Sequence, residues 1–243
     1  MNMTSTNSFT NNPNNKIVLW FDGNPIRHIQ RLGPDSFYVP NFMQDNFPAS
    51  LQPTSVFEET LRTGHWIDRD YRGILQRGHE QKRAIALATT NTDVDQVTGI
   101  PMSISNYSYT SATWRSLLKY KTFRDAGLDP IVEQMMKLSF SRGCHQDQDS
   151  EDTVPQRVGI NHVMLSKYER ESDNIKLHQD SEDDIVDGSL ILVLSLGDAR
   201  QMLFQKLGES EIESITLDVG SLFVLGSQTN HTFLHSIAPI KRL

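Results

Sequence analysis

The chain contains one cysteine, Cys144, in 243 residues. No disulfide can form within it, which fits a reducing compartment. No apolar run approaches the ~18 residues that a membrane span requires. The opening stretch, MNMTSTNSFTNNPNNK, lacks the apolar segment of a secretory signal. These absences predict an intracellular protein with no membrane partner, without separating nucleus from cytoplasm. Positive charge is also scarce: 23 Lys and Arg stand against 30 Asp and Glu, a formal net charge of -7. A protein that grips duplex nucleic acid usually shows a basic face. Segregated charges could still supply one, but global acidity argues against tight nonspecific binding. No internal repeat is visible.

What is present can build a sizeable core: 37% of residues are apolar and 22% charged. The length suits one large domain. Residues 1–15, rich in Asn, Ser and Thr, read as a disordered tail in which nothing can bury. Residues 16–243 read as one domain. Ile17–Phe21 is a strand ending at the turn Asp22-Gly23-Asn24-Pro25. Ser36–Phe42 is a second strand, with Pro40 marking an edge or an end. Phe57–Leu61 belongs to a helix that stops near Gly64. Gln81–Thr89 fits strand or helix. Asn91–Gly99 is a polar loop. Ser103–Thr110 alternates, placing Tyr107 and Tyr109 on one face. Asp129 and Pro130 start a helix, Asp129 as N-cap, whose apolar face runs through Met135 and Leu138 to about Gly143. Its methionines read as core filler.

Residues 144–157 form an acidic segment without apolar pattern, expected as an exposed insertion loop. From Val158 the character changes. Strands are predicted over Val158–Tyr168, Asn174–Leu177, Ser189–Leu196, Arg200–Lys206, Ser214–Val219, Leu222–Leu225 and Thr232–Ile237. Short strands at this spacing predict an antiparallel sandwich or barrel. The fold class is therefore mainly β with helical flanks. Leu190–Leu194 is apolar throughout and should be covered on both faces.

Chemistry concentrates in His178-Gln179-Asp180 and in His235, which lies 57 positions after His178. Residues i and i+2 of a strand point the same way, so His178 and Asp180 can converge on one ion. Two imidazoles and a carboxylate leave half of an octahedral metal's positions open, the donor set of non-haem Fe(II) oxygenases. A second His-x-Asp, His145-Gln146-Asp147, sits in the acidic segment with no rigid element to fix it and is set aside. His231 rivals His235 as the distal ligand, and on residues alone the choice is even. The plainer reading of all these residues is that a His-x-Asp arises by chance and strand histidines merely pack.

Several motifs carry a family resemblance. Gly220-Ser221-Leu222, Thr229-Asn230 and His235-Ser236 resemble the closing portion of an AlkB-type Fe(II)/2-oxoglutarate dioxygenase. So do Ser195-Leu196-Gly197 with Arg200 and Phe204, and Leu165–Tyr168 ahead of the His-x-Asp. Phe37–Phe42 resembles the family's entry segment, and Tyr107 with Tyr109 its nucleotide-lid tyrosines. The resemblance implies a double-stranded β-helix (jelly-roll) barrel with its core at about 158–243 and a substrate-lid and helical part at about 36–140. It implies Fe(II) held by His178, Asp180 and His235, with 2-oxoglutarate and O2 as co-substrates. Tyr168 would hydrogen-bond the 2-oxoglutarate, with Ser166 where the family usually has asparagine. Arg200 would support the site without touching iron. The implied reaction is oxidative demethylation of N-alkylated bases in DNA or RNA, a repair chemistry, by a monomer. Glu182, Tyr107 and Tyr109 would contact the flipped base; a solvated charge and barrel packing are their plainer readings.

The chain departs from the family pattern at its end, 8 residues past His235. Family members continue into one more strand carrying an arginine that clamps the 2-oxoglutarate carboxylate, a strong type of polar contact. The expectation is a missing C-terminal strand in a fragment of a longer gene; Arg242 filling in, or metal binding without turnover, are the alternatives. The same chemistry on a protein substrate, and a non-catalytic barrel, are the competing functional readings.

Overall fold

The computed structural model describes residues 9, 17–64, 66, 84–89, 120–142, 155–181, 185 and 188–240. In chain order its strands are β1 (Ile17–Phe21), β2 (Asn24–Pro25), β3 (Gln30–Leu32), β4 (Ser36–Val39), β5 (Ala84–Thr89), β6 (Tyr120–Thr122), β7 (Leu138–Arg142) and β8 (Gln156–Arg157). There follow β9 (His162–Lys167), β10 (Ile175–His178), β11 (Ile191–Leu194), β12 (Arg200–Lys206), β13 (Ile212–Leu217), β14 (Leu222–Leu225) and β15 (Phe233–Ile237). The helices are α1 (Phe42–Asn46), α2 (Pro53–Thr63), α3 (Asp129–Met135) and α4 (Ser227–Thr232).

Two four-stranded sheets define the architecture. One has the order β10-β15-β12-β13, the other β11-β14-β4-β3, and all their pairings are antiparallel. From β10 the chain crosses to the second sheet at β11, returns for the β12–β13 hairpin, crosses again at β14 and returns at β15, which is the winding of a double-stranded β-helix. The layers meet across an apolar cluster: Met202, Phe204, Ile215 and Leu217 from one side, Leu32, Tyr38, Phe223 and Leu225 from the other. Removing these side chains from water is the main stabilising term, at about 1.5–3 kcal/mol for each large one. On the outer face of the second sheet Phe37, Val39, Leu222 and Val224 pack with β1, β7 and α1 in another cluster. The alternation of β11 follows from this. Ile191 and Val193 face the sandwich, and Leu192 and Leu194 face the outer cluster, so Leu190–Leu194 is covered on both sides although only half-buried. A third four-stranded sheet has the order β2-β1-β7-β8, all antiparallel, and a three-stranded one, β6-β5-β9, pairs β9 antiparallel with β5 and β5 parallel with β6.

Local sequence explains several boundaries. Phe21 pairs with Asn24, leaving Asp22 and Gly23 as a two-residue turn with φ of 50° and 78°. Positive φ at both positions is the type I′ geometry that matches strand twist. Pro40 does end β4, but β4 is no edge: it lies between β14 and β3. Pro53 opens α2, and the helix stops before Gly64. Gln81–Thr89 resolves as strand over Ala84–Thr89, where pairing with β9 and β6 overrides the helical preference of its three alanines.

Four expectations need correction. Phe42 starts α1 instead of ending β4. Leu128, not Asp129, is the N-cap of α3, and Asp129 lies in the first turn. That helix stops at Met135, because Leu138 already belongs to β7, where pairing with β1 overrides helical propensity. Finally, the tail expected over residues 1–15 contains a buried residue. Phe9 is fully buried, its ring stacked on Phe204 at 3.8 Å and edge-on to Phe233 at 5.1 Å. Its N–H donates to the Glu213 carboxylate and its carbonyl accepts from Gly33. One aromatic ring with two backbone bonds outweighs its polar neighbours. The segments around Tyr107, Tyr109 and Cys144 lie outside the described residues.

Burial lowers the His162 imidazole on β9 from its ordinary 6.5 to about 4. The folded chain keeps this ring neutral where the unfolded chain binds a proton. Its contribution is complete above pH 6.5 and is lost as pH falls toward 4, an effect of about 3 kcal/mol. Urea unfolding at several pH values should show this loss in the wild type and a shallower one in His162→Gln; equal slopes would contradict the assignment.

Candidate metal centre

The site begins with a strand pairing. β10 and β15 run antiparallel with Ile175 opposite Ile237 and His178 opposite His235. Three steps on β10 match two on β15, so the pair carries a bulge between Ile175 and His178. Bulges re-aim side chains and recur beside active sites. Directly opposed residues share a face, and the two imidazoles stand 4.4 Å apart between centroids with their planes at 50°. On its other side His235 faces Phe204 of β12.

Asp180 completes the cluster from outside the strand, since β10 ends at His178. Its Oδ1 lies 3.4 Å from His178 Nε2 and its Oδ2 3.5 Å from His235 Nε2. One donor atom from each of the three residues lies within 4.8 Å of the others. Metal–ligand bonds of about 2.1 Å at right angles place neighbouring donors about 3 Å apart, so Asp180 already stands near the required distance from each imidazole and the set can close on one ion. His235 is nearly buried at 7% side-chain exposure, while His178 and Asp180 keep 31% and 33%. The cluster is therefore closed behind and open in front.

Its hydrogen bonds point to a cation. His178 Nδ1 sits 2.8 Å from the Lys176 carbonyl, which can only accept. Nδ1 thus carries a proton, and Nε2 turns its lone pair toward Asp180 unless the ring takes a second proton. His235 Nδ1 is buried with no partner among the described residues, and its Nε2 also faces Asp180. Burial acts to raise the Asp180 carboxyl, but when His178 and His235 carry protons on the nitrogens that face it, their hydrogen bonds and charge outweigh burial and hold the group well below the usual carboxylate range. Asp180 is ionised at neutral pH. An anionic oxygen pair between two imidazole nitrogens is a ready cation site.

The surroundings fix this geometry. Asp180 N–H donates to Asn230 Oδ1 at 2.9 Å, and Asn230 Nδ2 donates to the Asp180 carbonyl at 2.9 Å. Gln179 Nε2 donates to the Asn230 carbonyl at 2.7 Å. Asn230 rides on α4, whose first turn is held by the buried Asp35: its carboxylate accepts from Gln228 N–H at 3.0 Å, Thr229 N–H at 2.9 Å and the Thr229 hydroxyl at 2.8 Å. Gly226 leaves the room for this grip, because a Cβ there would meet Asp35 Cγ at 2.2 Å. On the approach to β10, the Arg200 guanidinium donates to the carbonyls of Tyr168 and Arg170 at 3.2 Å and of Asp173 at 3.3 Å, and lies 5.6 Å from the Tyr168 ring centroid. Asp173 in turn accepts from the N–H groups of Glu169 and Arg170 at 2.7 Å.

The structure thus brings His178, Asp180 and His235 together. Asp180 arrives by a clamped turn, not by the strand alternation expected of it. His231 is separated from the set: it lies exposed on α4, not on a strand beside His235. Ser166 sits in β9 opposite Ile85, and Tyr168 just beyond that strand beneath Arg200. Glu182, Tyr107, Tyr109, His145, Asp147, Lys241 and Arg242 lie outside the described residues. Sequence reasoning noted Asn230 only as part of a motif and missed Asp35 and Gln179. Gly33-Pro34-Asp35 shows a turn, but nothing local shows that its carboxylate reaches a helix 194 positions away.

With this geometry in hand the family follows. A model of the 2OG-Fe(II) oxygenase superfamily matches residues 38–243, and the chain belongs to that superfamily. It is a 2-oxoglutarate-dependent dioxygenase, a class that uses Fe(II), 2-oxoglutarate and O2. No curated protein matches the sequence. Among solved structures, one described as "The structure of OsALKBH1" aligns over 88% of this chain and 88% of its own, with 15% identity and a TM-score of 0.48. Among the described residues no helix is long and apolar enough to cross a membrane.

Alanine at His178, Asp180 or His235 is expected to weaken Fe(II) binding by more than about 100-fold, the upper range for groups that only support a ligand. His231→Ala and His145→Ala should bind as the wild type does. Anaerobic calorimetry checks this, and equal losses in His178→Ala and His145→Ala would mean that the wrong His-x-Asp is assigned.

Proposed function

We propose that the chain is an AlkB-type dioxygenase that oxidatively removes N-alkyl groups from bases in DNA or RNA, with His178, Asp180 and His235 as its iron ligands. The observation that carries this reading is the half-open cluster of two imidazoles and one ionised carboxylate on the β10–β15 pair. It occurs in a chain whose Leu165–Tyr168, Ser195–Gly197 and Gly220–His235 motifs resemble the AlkB type. When bound, Fe(II) with 2-oxoglutarate and O2 supplies the oxidation: 2-oxoglutarate becomes succinate and CO2, one oxygen atom enters an N-methyl C–H bond, and the product releases formaldehyde.

The protein's own part is binding and orientation. His178 and His235 offer Nε2, and Asp180 offers a carboxylate kept ionised. The buried side behind His235 keeps one face of the centre from water, and the exposed side leaves access for co-substrate and substrate. Tyr168 and Ser166 are assigned to 2-oxoglutarate; the Ser166 hydroxyl can donate one hydrogen bond where an amide would serve in relatives. Arg200 positions Tyr168 through its backbone and ring. Glu182, Tyr107 and Tyr109 are assigned to the flipped base. The domain is taken as 16–243, with the barrel core at about 158–243.

The net charge of -7 favours a second reading, in which the same chemistry acts on a protein. Incubation with an N-methylated oligonucleotide and its unmethylated twin separates the two. The proposal expects formaldehyde and succinate in equal amounts from the methylated strand only. Succinate without formaldehyde would remove nucleic acid as substrate and leave the protein reading.

A further inference from the structure

We propose that Asn230 is the positioning residue of the metal carboxylate: its side chain, and not strand β10, sets where Asp180 points. The inference rests on the iron reading above. Beyond His178 the chain has left the strand, so no ladder fixes the backbone of Asp180. Instead both polar groups of that residue's backbone are taken by one amide, Asn230 accepting from its N–H and donating to its carbonyl, each at 2.9 Å. This is the pattern of a strand bridge made by a side chain. It also fixes the orientation of the amide, because exchanging its oxygen and nitrogen would set donor against donor and acceptor against acceptor. The third bond, from Gln179 Nε2 to the Asn230 carbonyl, ties the residue between the two ligands to the same point.

Asn230 can hold this position because it cannot move. It is 1% exposed, and its own N–H donates to the Gly226 carbonyl at 2.9 Å. Behind it the Asp35 carboxylate takes three donors from Gln228 and Thr229. A continuous line of buried and half-buried polar contacts runs from the β3–β4 turn through the first turn of α4 to Asp180. Groups that orient a metal ligand affect metal affinity about 10–100-fold when removed.

The test uses Mn(II) as a redox-stable probe of the whole chain, titrated by electron paramagnetic resonance, with thermal melts of the metal-free protein alongside. Asn230→Asp keeps the size and the acceptor but opposes a second oxygen to the Asp180 carbonyl. Asn230→Ala removes both bonds. Each is expected to weaken Mn(II) binding by about 10–100-fold. Tyr38→Phe is the stability control: it deletes a half-buried hydrogen bond to Asp218 at 3.1 Å, and its Mn(II) affinity should equal that of the wild type. Should either Asn230 variant fail to fold, Gln179→Ala removes the half-buried third bond without touching the core and should still lose affinity several-fold. Wild-type affinity in a folded Asn230 variant, or in Gln179→Ala where neither folds, overturns the proposal. So does an equal loss in Tyr38→Phe, which would tie affinity to stability alone. Absence of saturable binding by the wild type would instead overturn the iron reading on which the proposal stands.

Discussion

The antiparallel pairing of β10 with β15 is the constraint on which the site depends. It sets His178 opposite His235 although the two lie far apart in the chain. A slip of one residue would turn one imidazole to the other face of the sheet. The register is protected on both sides. β15 also pairs with β12 over five positions, from Met202 with Ile237 to Lys206 with Phe233. Met202 and Phe204 are buried against the facing sheet, so sliding β15 would expose apolar surface at about 25 cal/mol for every Å² uncovered. The core that makes the fold thereby also fixes the distance between the two imidazoles.

Polar contacts then finish what packing cannot. Packing is non-directional and aims no carboxylate. The turn after β10 is aimed by Asn230, α4 by Asp35, and the loop before β10 by Arg200 and Asp173. Most of these groups are buried or half-buried, where leaving a donor or acceptor unmet costs about 1–3 kcal/mol. That cost makes the network well defined. It also explains the contrast within the cluster: His235 is enclosed by strand packing, while His178 and Asp180 stand at the rim. A centre that must admit both a co-substrate and a substrate requires such an open side.

Much of this was legible in the sequence, for identifiable reasons. Arg200–Lys206 and Leu222–Leu225 are strands with the bounds their residue pattern predicts, since β-branched, aromatic and aliphatic residues there agree with their tertiary surroundings. The His178–Asp180–His235 grouping was legible because it joins a short-range spacing to a motif in the closing strands. What sequence could not show are effects that act over distance. Phe9 finds its pocket through rings nearly two hundred residues away, and Leu138 leaves the helical pattern because β1 offers it a partner. The equal claims of His231 and His235 separate only when α4 appears, a six-residue helix between two strands that leaves one histidine exposed and the other in the sheet. Asp35 gave no sign at all, because a buried carboxylate gripping a distant helix has no local pattern.

The most direct measurement is a visible spectrum. Under anaerobic conditions, Fe(II) is added to the purified chain and 2-oxoglutarate is titrated in, while the charge-transfer absorption of the chelated co-substrate is followed. The account predicts a band that grows with 2-oxoglutarate, saturates at one equivalent of iron, and fails to form when Fe(II) is replaced by Zn(II). Iron that binds without any such band would contradict it, since the cluster would then be a metal site that does not present its open positions to 2-oxoglutarate.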